Sequence, residues 1–186
     1  INACGNEQVK LGSEKIYILD LIESMLSVKN KRLTKTIADS GILNQATTHF
    51  CQYPENNIYG NLYLKIAKGI VNSANDNLVQ KFLGEDGSLI NQLVEITKDT
   101  KLRTSKGSFI RKPHLGQVIS ILRELKATKR ETAIELRDKH PLWEDCDKNW
   151  LTEEIEIQDK EFYKDPVTDS LVVPGNLDMG DSGVIS

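Results

Sequence analysis

Between Lys106 and Leu125 the chain reads KGSFIRKPHLGQVISILREL, a basic, glycine-containing connector that turns into a run of regularly spaced apolar residues. Leu115, Val118, Ile119, Leu122 and Leu125 recur three and four places apart, which gathers them on one face of a helix, and Pro113 stands near its start, where a missing N–H is harmless. The same period governs most of the chain. Two-residue alternation is confined to Leu171–Val173, too short for a strand, so the pattern dictates an all-α fold.

Taken in order, Ile16, Ile18, Leu19, Ile22, Met25 and Leu26 predict a helix with an apolar face wide enough to be largely buried, with Ser13 as its cap. Leu33 and Ile37 start a shorter helix that Ser40-Gly41 ends, and Ile42, Leu43, Ala46 and Phe50 continue as another, stopped by Pro54. Asn56-Asn57 opens a helix through Tyr59, Leu62, Tyr63, Ile66 and Ile70, in which Gly60 and Gly69 imply close helix packing. Leu78–Leu83 ends at Gly84, and Ser88 caps a helix through Leu93 and Ile96. After the stretch around Pro113, Thr128-Lys129-Arg130-Glu131 matches a capping box ahead of a helix that ends at His140-Pro141. Trp143, Trp150, Leu151 and Ile155 predict one more packed segment.

About seven to nine short helices with short connectors suit an armadillo- or HEAT-like helical-repeat solenoid. No sequence repeat of fixed period is visible, which keeps a compact helical bundle as the alternative. Residues 1–164 form the helical scaffold domain on this reading. Residues 165–186, rich in acids, proline and glycine without periodicity, read as a disordered acidic tail.

Charge sharpens that division. Residues 1–140 carry 21 basic against 15 acidic side chains, and residues 141–186 carry 3 against 12, so the net charge of -3 conceals two segments of opposite sign. Three widely spaced cysteines, Cys4, Cys51 and Cys146, indicate neither a disulfide framework nor a zinc cluster, and a reducing compartment follows. Cytoplasm is the expected location, with the nucleus as a second. No window has the length and apolarity of a membrane span, and a start at Ile1 without methionine reads as part of something longer.

Chemistry-bearing motifs are sparse. The three histidines, His49, His114 and His140, lack a second ligand at helical spacing apart from the thin pair His49 and Cys51, so no metal is expected. Glu85-Asp86 and Glu153-Glu154 are adjacent acids that point in different directions on a helix and read as a solvated face. Phosphate-cradling and serine-hydrolase signatures are missing, so no cofactor and no enzymatic role is expected. The basic run Lys98, Lys101, Arg103, Lys106, Arg111 and Lys112 sits where side chains can reach an acidic partner. With Phe109 as its sole aromatic, it is a poor platform for nucleic-acid bases.

Arg111-Lys112-Pro113-His114-Leu115-Gly116-Gln117-Val118 resembles the R-K-G-Y-M-G-H-L signature of the SAPS-domain family, regulatory subunits of type-2A-like (type 6) serine/threonine phosphatases. Leu11-Gly12 before the first helix, Asn56-Asn57-Ile58, the segment Leu78–Ile96 and a tryptophan at Trp150 or Trp143 follow the family order, so the similarity spans Lys10–Ile157, the C-terminal part of the family domain. Pro113, His114 and Gln117 depart from the family's glycine, tyrosine and histidine. The resemblance implies a non-catalytic armadillo- or HEAT-like scaffold that binds a type-2A-like phosphatase catalytic subunit, with further adaptor proteins as additional partners, and helps select substrates. Lys106, Arg111, Lys112 and His114 then become the partner-binding candidates, with Asn57, Gly116 and Trp150 as structural landmarks, Asn57 and Gly116 serving helix entry and close packing. The competing reading is a helical-repeat adaptor unrelated to phosphatases.

Overall fold

The computed structural model describes residues 10–84, 89–103 and 107–163. The fold is all-α, as the periodicity predicts. Its helices are α1 (Ser13–Ser27), α2 (Lys31–Asp39), α3 (Ile42–Gln52), α4 (Asn57–Val71), α5 (Asp76–Leu83), α6 (Leu89–Lys98), α7 (Leu115–Ala127), α8 (Glu131–Asp138), α9 (Trp143–Cys146) and α10 (Thr152–Tyr163). A π-helical turn over Asp147–Leu151 joins the last two. Asparagines open three of these helices: Asn30, Asn56 and Asn75 each accept a first-turn N–H of α2, α4 and α5 through the side chain. Each such cap contributes about 1 kcal/mol. Gly41, at φ 72, supplies the left-handed turn between α2 and α3.

Helices pack on the helix three places further along the chain. α1 lies on α4 and α4 on α7; α2 lies on α5 and α5 on α8; α3 lies on α6 and α6 on α9. The result is three successive layers, α1–α3, α4–α6 and α7–α9, in which corresponding helices touch. α4 and α7 run parallel. Near their starts Gln117 Nε2 donates to Asn61 Oδ1 (3.2 Å), and near their ends Asn72 Nδ2 donates to Glu124 Oε1 (2.7 Å).

The core follows from that stacking. Phe50 and Tyr63 stack with ring centroids 4.6 Å apart, and both are buried along with Tyr59, Phe82, Leu93 and Leu122. Each such side chain contributes about 1.5–3 kcal/mol by leaving water, which is why the middle helix α4 is apolar on two faces. Its buried Tyr59, Tyr63, Ile66, Ala67, Ile70 and Val71 serve neighbours on both sides.

Several sequence expectations are corrected. The basic connector is not irregular throughout: strands β1 (Lys101–Arg103) and β2 (Phe109–Arg111) pair antiparallel, with Leu102 opposite Ile110. Ser13 does not cap α1; Gly12 precedes it and no side chain caps that end. Thr128 does not form a capping box, because α8 starts at Glu131 behind Arg130. Its hydroxyl is committed elsewhere, bonding to Asn72 Oδ1 across the layer boundary at 3.1 Å. Gly69 is exposed with nothing within 4 Å of a Cβ position, so close packing explains Gly60 alone.

α1 is also less buried than its pattern predicts. Leu19 and Ile22 are buried, while Tyr17, Ile18 and Leu21 are exposed, since α1 packs mainly on α4 and α2 and these three side chains lie off those contacts. Ser88, Glu85, Asp86 and the segment after Lys164 lie outside the described residues.

Candidate protein-binding surface

The connector between α6 and α7 is far longer than its counterpart. Tyr53–Asn56 suffices to pass from the first layer to the second, whereas the passage from the second to the third runs from Asp99 to His114 and contains the hairpin. The layers do not require that length. On β2, Phe109 is 67% exposed and Ile110 38%, so the hairpin carries an aromatic and an aliphatic side chain into solvent.

The sequence candidates separate once placed. Arg111 follows those two residues on β2 and is ion-paired with Glu154 of α10. Lys112 extends the ladder by donating its N–H to Thr100 O (2.9 Å), and its Nζ lies 3.3 Å from Asp99 Oδ2. Lys112 is mostly covered, so its charge braces the base of the hairpin more than it faces solvent. Lys106 lies outside the described residues.

His114 is no part of an outer surface. It is 3% exposed, edge-on to the Phe50 ring at 5.2 Å, and among the described residues neither ring nitrogen has a hydrogen-bond partner. Burial, aided by the nearby Lys112 charge, pushes its pKa down to about 4 and keeps it neutral. Cys51 belongs to the same neighbourhood. Its thiol donates to Gln92 Oε1 at 3.2 Å, and burial pushes it up to about 11 against the opposing pull of Lys112. A thiol held protonated in this way is a poor nucleophile.

The landmark residues fall at helix starts and in a late turn. Asn57 is the exposed first residue of α4, and the capping is done by Asn56. Gly116 is exposed with nothing within 4 Å of a Cβ position, which corrects the expectation that it serves close packing. Trp150 is half-buried against the core in the π-helical turn, while Trp143 is buried beneath the Arg137 guanidinium, 5.7 Å from its ring centroid. Among the described residues, no group of three or more His, Cys, Asp and Glu side chains is placed to hold a metal ion, and no helix is long and apolar enough to cross a membrane.

The arrangement can therefore offer a partner a projecting Phe109-Ile110 edge with the half-exposed Arg111 beside it. Aromatic and arginine side chains of this kind are the commonest anchors of protein interfaces. In the sequence Phe109 stands out only as the sole aromatic of a basic run and Ile110 not at all; the signal for both is two large apolar residues in a segment without helical period. No family model matches the chain, and neither a curated protein nor a solved structure matches it.

Proposed function

We propose that this chain is a non-catalytic scaffold of armadillo-like three-helix repeats that holds a partner protein through the hairpin between its second and third layers. The packing of each helix on the one three places later supports the repeat reading, since stacked repeats contact only their neighbours. The observation that carries the binding role is the exposed Phe109-Ile110 pair on a hairpin absent from the equivalent junction.

Under the resemblance to the SAPS-domain family, the partner is the catalytic subunit of a type-2A-like (type 6) serine/threonine phosphatase, and the scaffold helps select its substrates. The partner's identity rests on that resemblance alone; the binding surface stands independently of it.

Affinity purification of the tagged chain at physiological salt is expected to recover a type-2A-like catalytic subunit. Phe109→Ala with Ile110→Ala is expected to reduce recovery at least tenfold, about 1.4 kcal/mol, while leaving the melting temperature unchanged, because both side chains are exposed. Recovery of no phosphatase subunit defeats the partner assignment. Undiminished binding by the double variant defeats the hairpin assignment.

A further inference from the structure

A groove of about 1120 Å³ opens at the junction of the first two layers, between the ends of α1 and α4, the length of α2, the Asn72–Asn75 connector and the start of α5. That exceeds the roughly 300–1,000 Å³ typical of a small-molecule pocket and suits a stretch of polypeptide. Its accessible apolar surface comes from Leu26 and Ala74, over a floor formed by the buried Ile66, Ile70 and Leu78. Gly69 lies among them with open space where its Cβ would stand, so the missing side chain widens the groove.

Lys29, Lys31, Lys35 and Lys65 also line it, and none of the four belongs to an ion pair among the described residues. The acids there are Glu23, Asp39 and Asp76. Asp76 is already engaged, 3.6 Å from Arg130 Nη2 and accepting from the Thr132 hydroxyl at 2.7 Å. Uncommitted lysines thus outnumber uncommitted acids by four to two. The first turns of α2 and α5, both on the groove, add the partial positive charge of helix N-termini.

We propose that this groove docks an acidic peptide segment of a partner protein, one that interleaves Asp or Glu with aliphatic side chains. The lysines select the acids, and the apolar lining takes the aliphatics. A nucleic acid fits worse, because among the described residues no aromatic side chain lines the groove to stack bases. An isolated phosphate would leave the apolar part uncovered. The groove is a second site, distinct from the hairpin and independent of which protein the hairpin holds.

The test uses the full chain and a fluorescein-labelled peptide, Glu-Leu-Asp-Val-Glu-Leu-Asp-Val, followed by anisotropy at low and at physiological ionic strength. Its Gln/Asn counterpart serves as the neutral control. Saturable binding that weakens with salt is expected, with the neutral peptide at least about tenfold weaker. Lys31→Glu with Lys35→Glu and Lys65→Glu should lower affinity by a further tenfold or more.

Gly69→Leu supplies the second arm. Its Cβ meets open space and leucine favours a helix, so the melting temperature should not fall while the peptide is excluded. Equal binding of the acidic and neutral peptides, or unchanged affinity in both variants, overturns the proposal, as does no saturable binding at low salt. A short duplex DNA that binds more tightly than the peptide, with the same sensitivity to the lysine substitutions, also overturns it.

Discussion

Gln117 of α7 lies across Gly60 of α4, its Nε2 3.4 Å from where a Cβ on that glycine would stand, while the same Nε2 donates to Asn61 Oδ1 at 3.2 Å. The contact is with the far end of a flexible side chain, so a methyl group fits with little displacement. Gly60→Ala is therefore expected to stabilise the fold by about 0.5–1 kcal/mol through helix propensity. Gly60→Leu, which must push α7 away, should cost about 1–3 kcal/mol. Thermal melts of the two variants check both signs; a loss of stability in the alanine variant would mean that α4 and α7 tolerate no added atom there.

Arg111 and Glu154 link the hairpin to α10, and Glu154 is the more covered partner, its side chain 16% exposed. Arg111→Glu places two carboxylates together at that point and is expected to cost about 1 kcal/mol, with the hairpin loosening first. Reversing both members, Arg111→Glu with Glu154→Arg, should restore most of the loss. Hydrogen exchange at the Phe109–Arg111 amides reads this directly. Equal protection in the single and double variants would show that the pair does not hold the hairpin. A charge reversal at Arg111 therefore disturbs the surface it is meant to probe, which is why Phe109 and Ile110 make the cleaner binding test.

The helices were legible because burial in this fold obeys a local period: Leu115 to Leu125 spell one face of α7 without reference to any other segment. The layers were not legible, since the relation of α4 to α7 lies in geometry and not in a repeated string of residues. The hairpin escaped for a different reason. Three residues are too few to show alternation, and the pairing of Leu102 with Ile110 depends on the chain reversing between them, with Gly107 at φ 82 on the way. His114 stands beside Arg111 and Lys112 among the partner-binding candidates, yet Phe50, distant in sequence, covers it. Thr128 carried a capping signature that a bond to the end of α4 overrides.

Tyr63 and Thr47 form a buried pair whose direction of donation is set by a third group. The Thr47 hydroxyl donates to Leu43 O at 2.9 Å, so the Tyr63 hydroxyl must donate to Thr47 Oγ1 at 2.7 Å. Tyr63→Phe removes a donor and leaves an acceptor that is still anchored, for about 1 kcal/mol. Thr47→Val leaves the tyrosine proton buried without an acceptor and should cost about 2–3 kcal/mol. The double variant is expected to cost less than the sum of the two, which denaturant titrations of all four proteins would reveal. Strict additivity would show that the two hydroxyls do not depend on each other.

His114 makes stability depend on pH with a defined sign. Its folded pKa of about 4 lies below the unfolded value of 6.5, so between the two the unfolded chain takes up a proton that the folded chain does not. The contribution is fully present above about pH 6.5, falls as the pH drops, and is lost below about pH 4. Its size is about 2 kcal/mol, less than full conversion of the shift gives, because the ring lies close to the surface, with Pro113 and Gly116 beside it exposed. His114→Leu removes the titrating ring and two unpartnered nitrogens from beside Phe50. It is expected to match or exceed the natural chain in stability at neutral pH and to widen its advantage between about pH 6.5 and 4. Urea titrations of both proteins across that range isolate the ring, since the carboxylates titrate alike in each. Stability curves that run parallel would mean that His114 is protonated in the folded chain as readily as in the unfolded one.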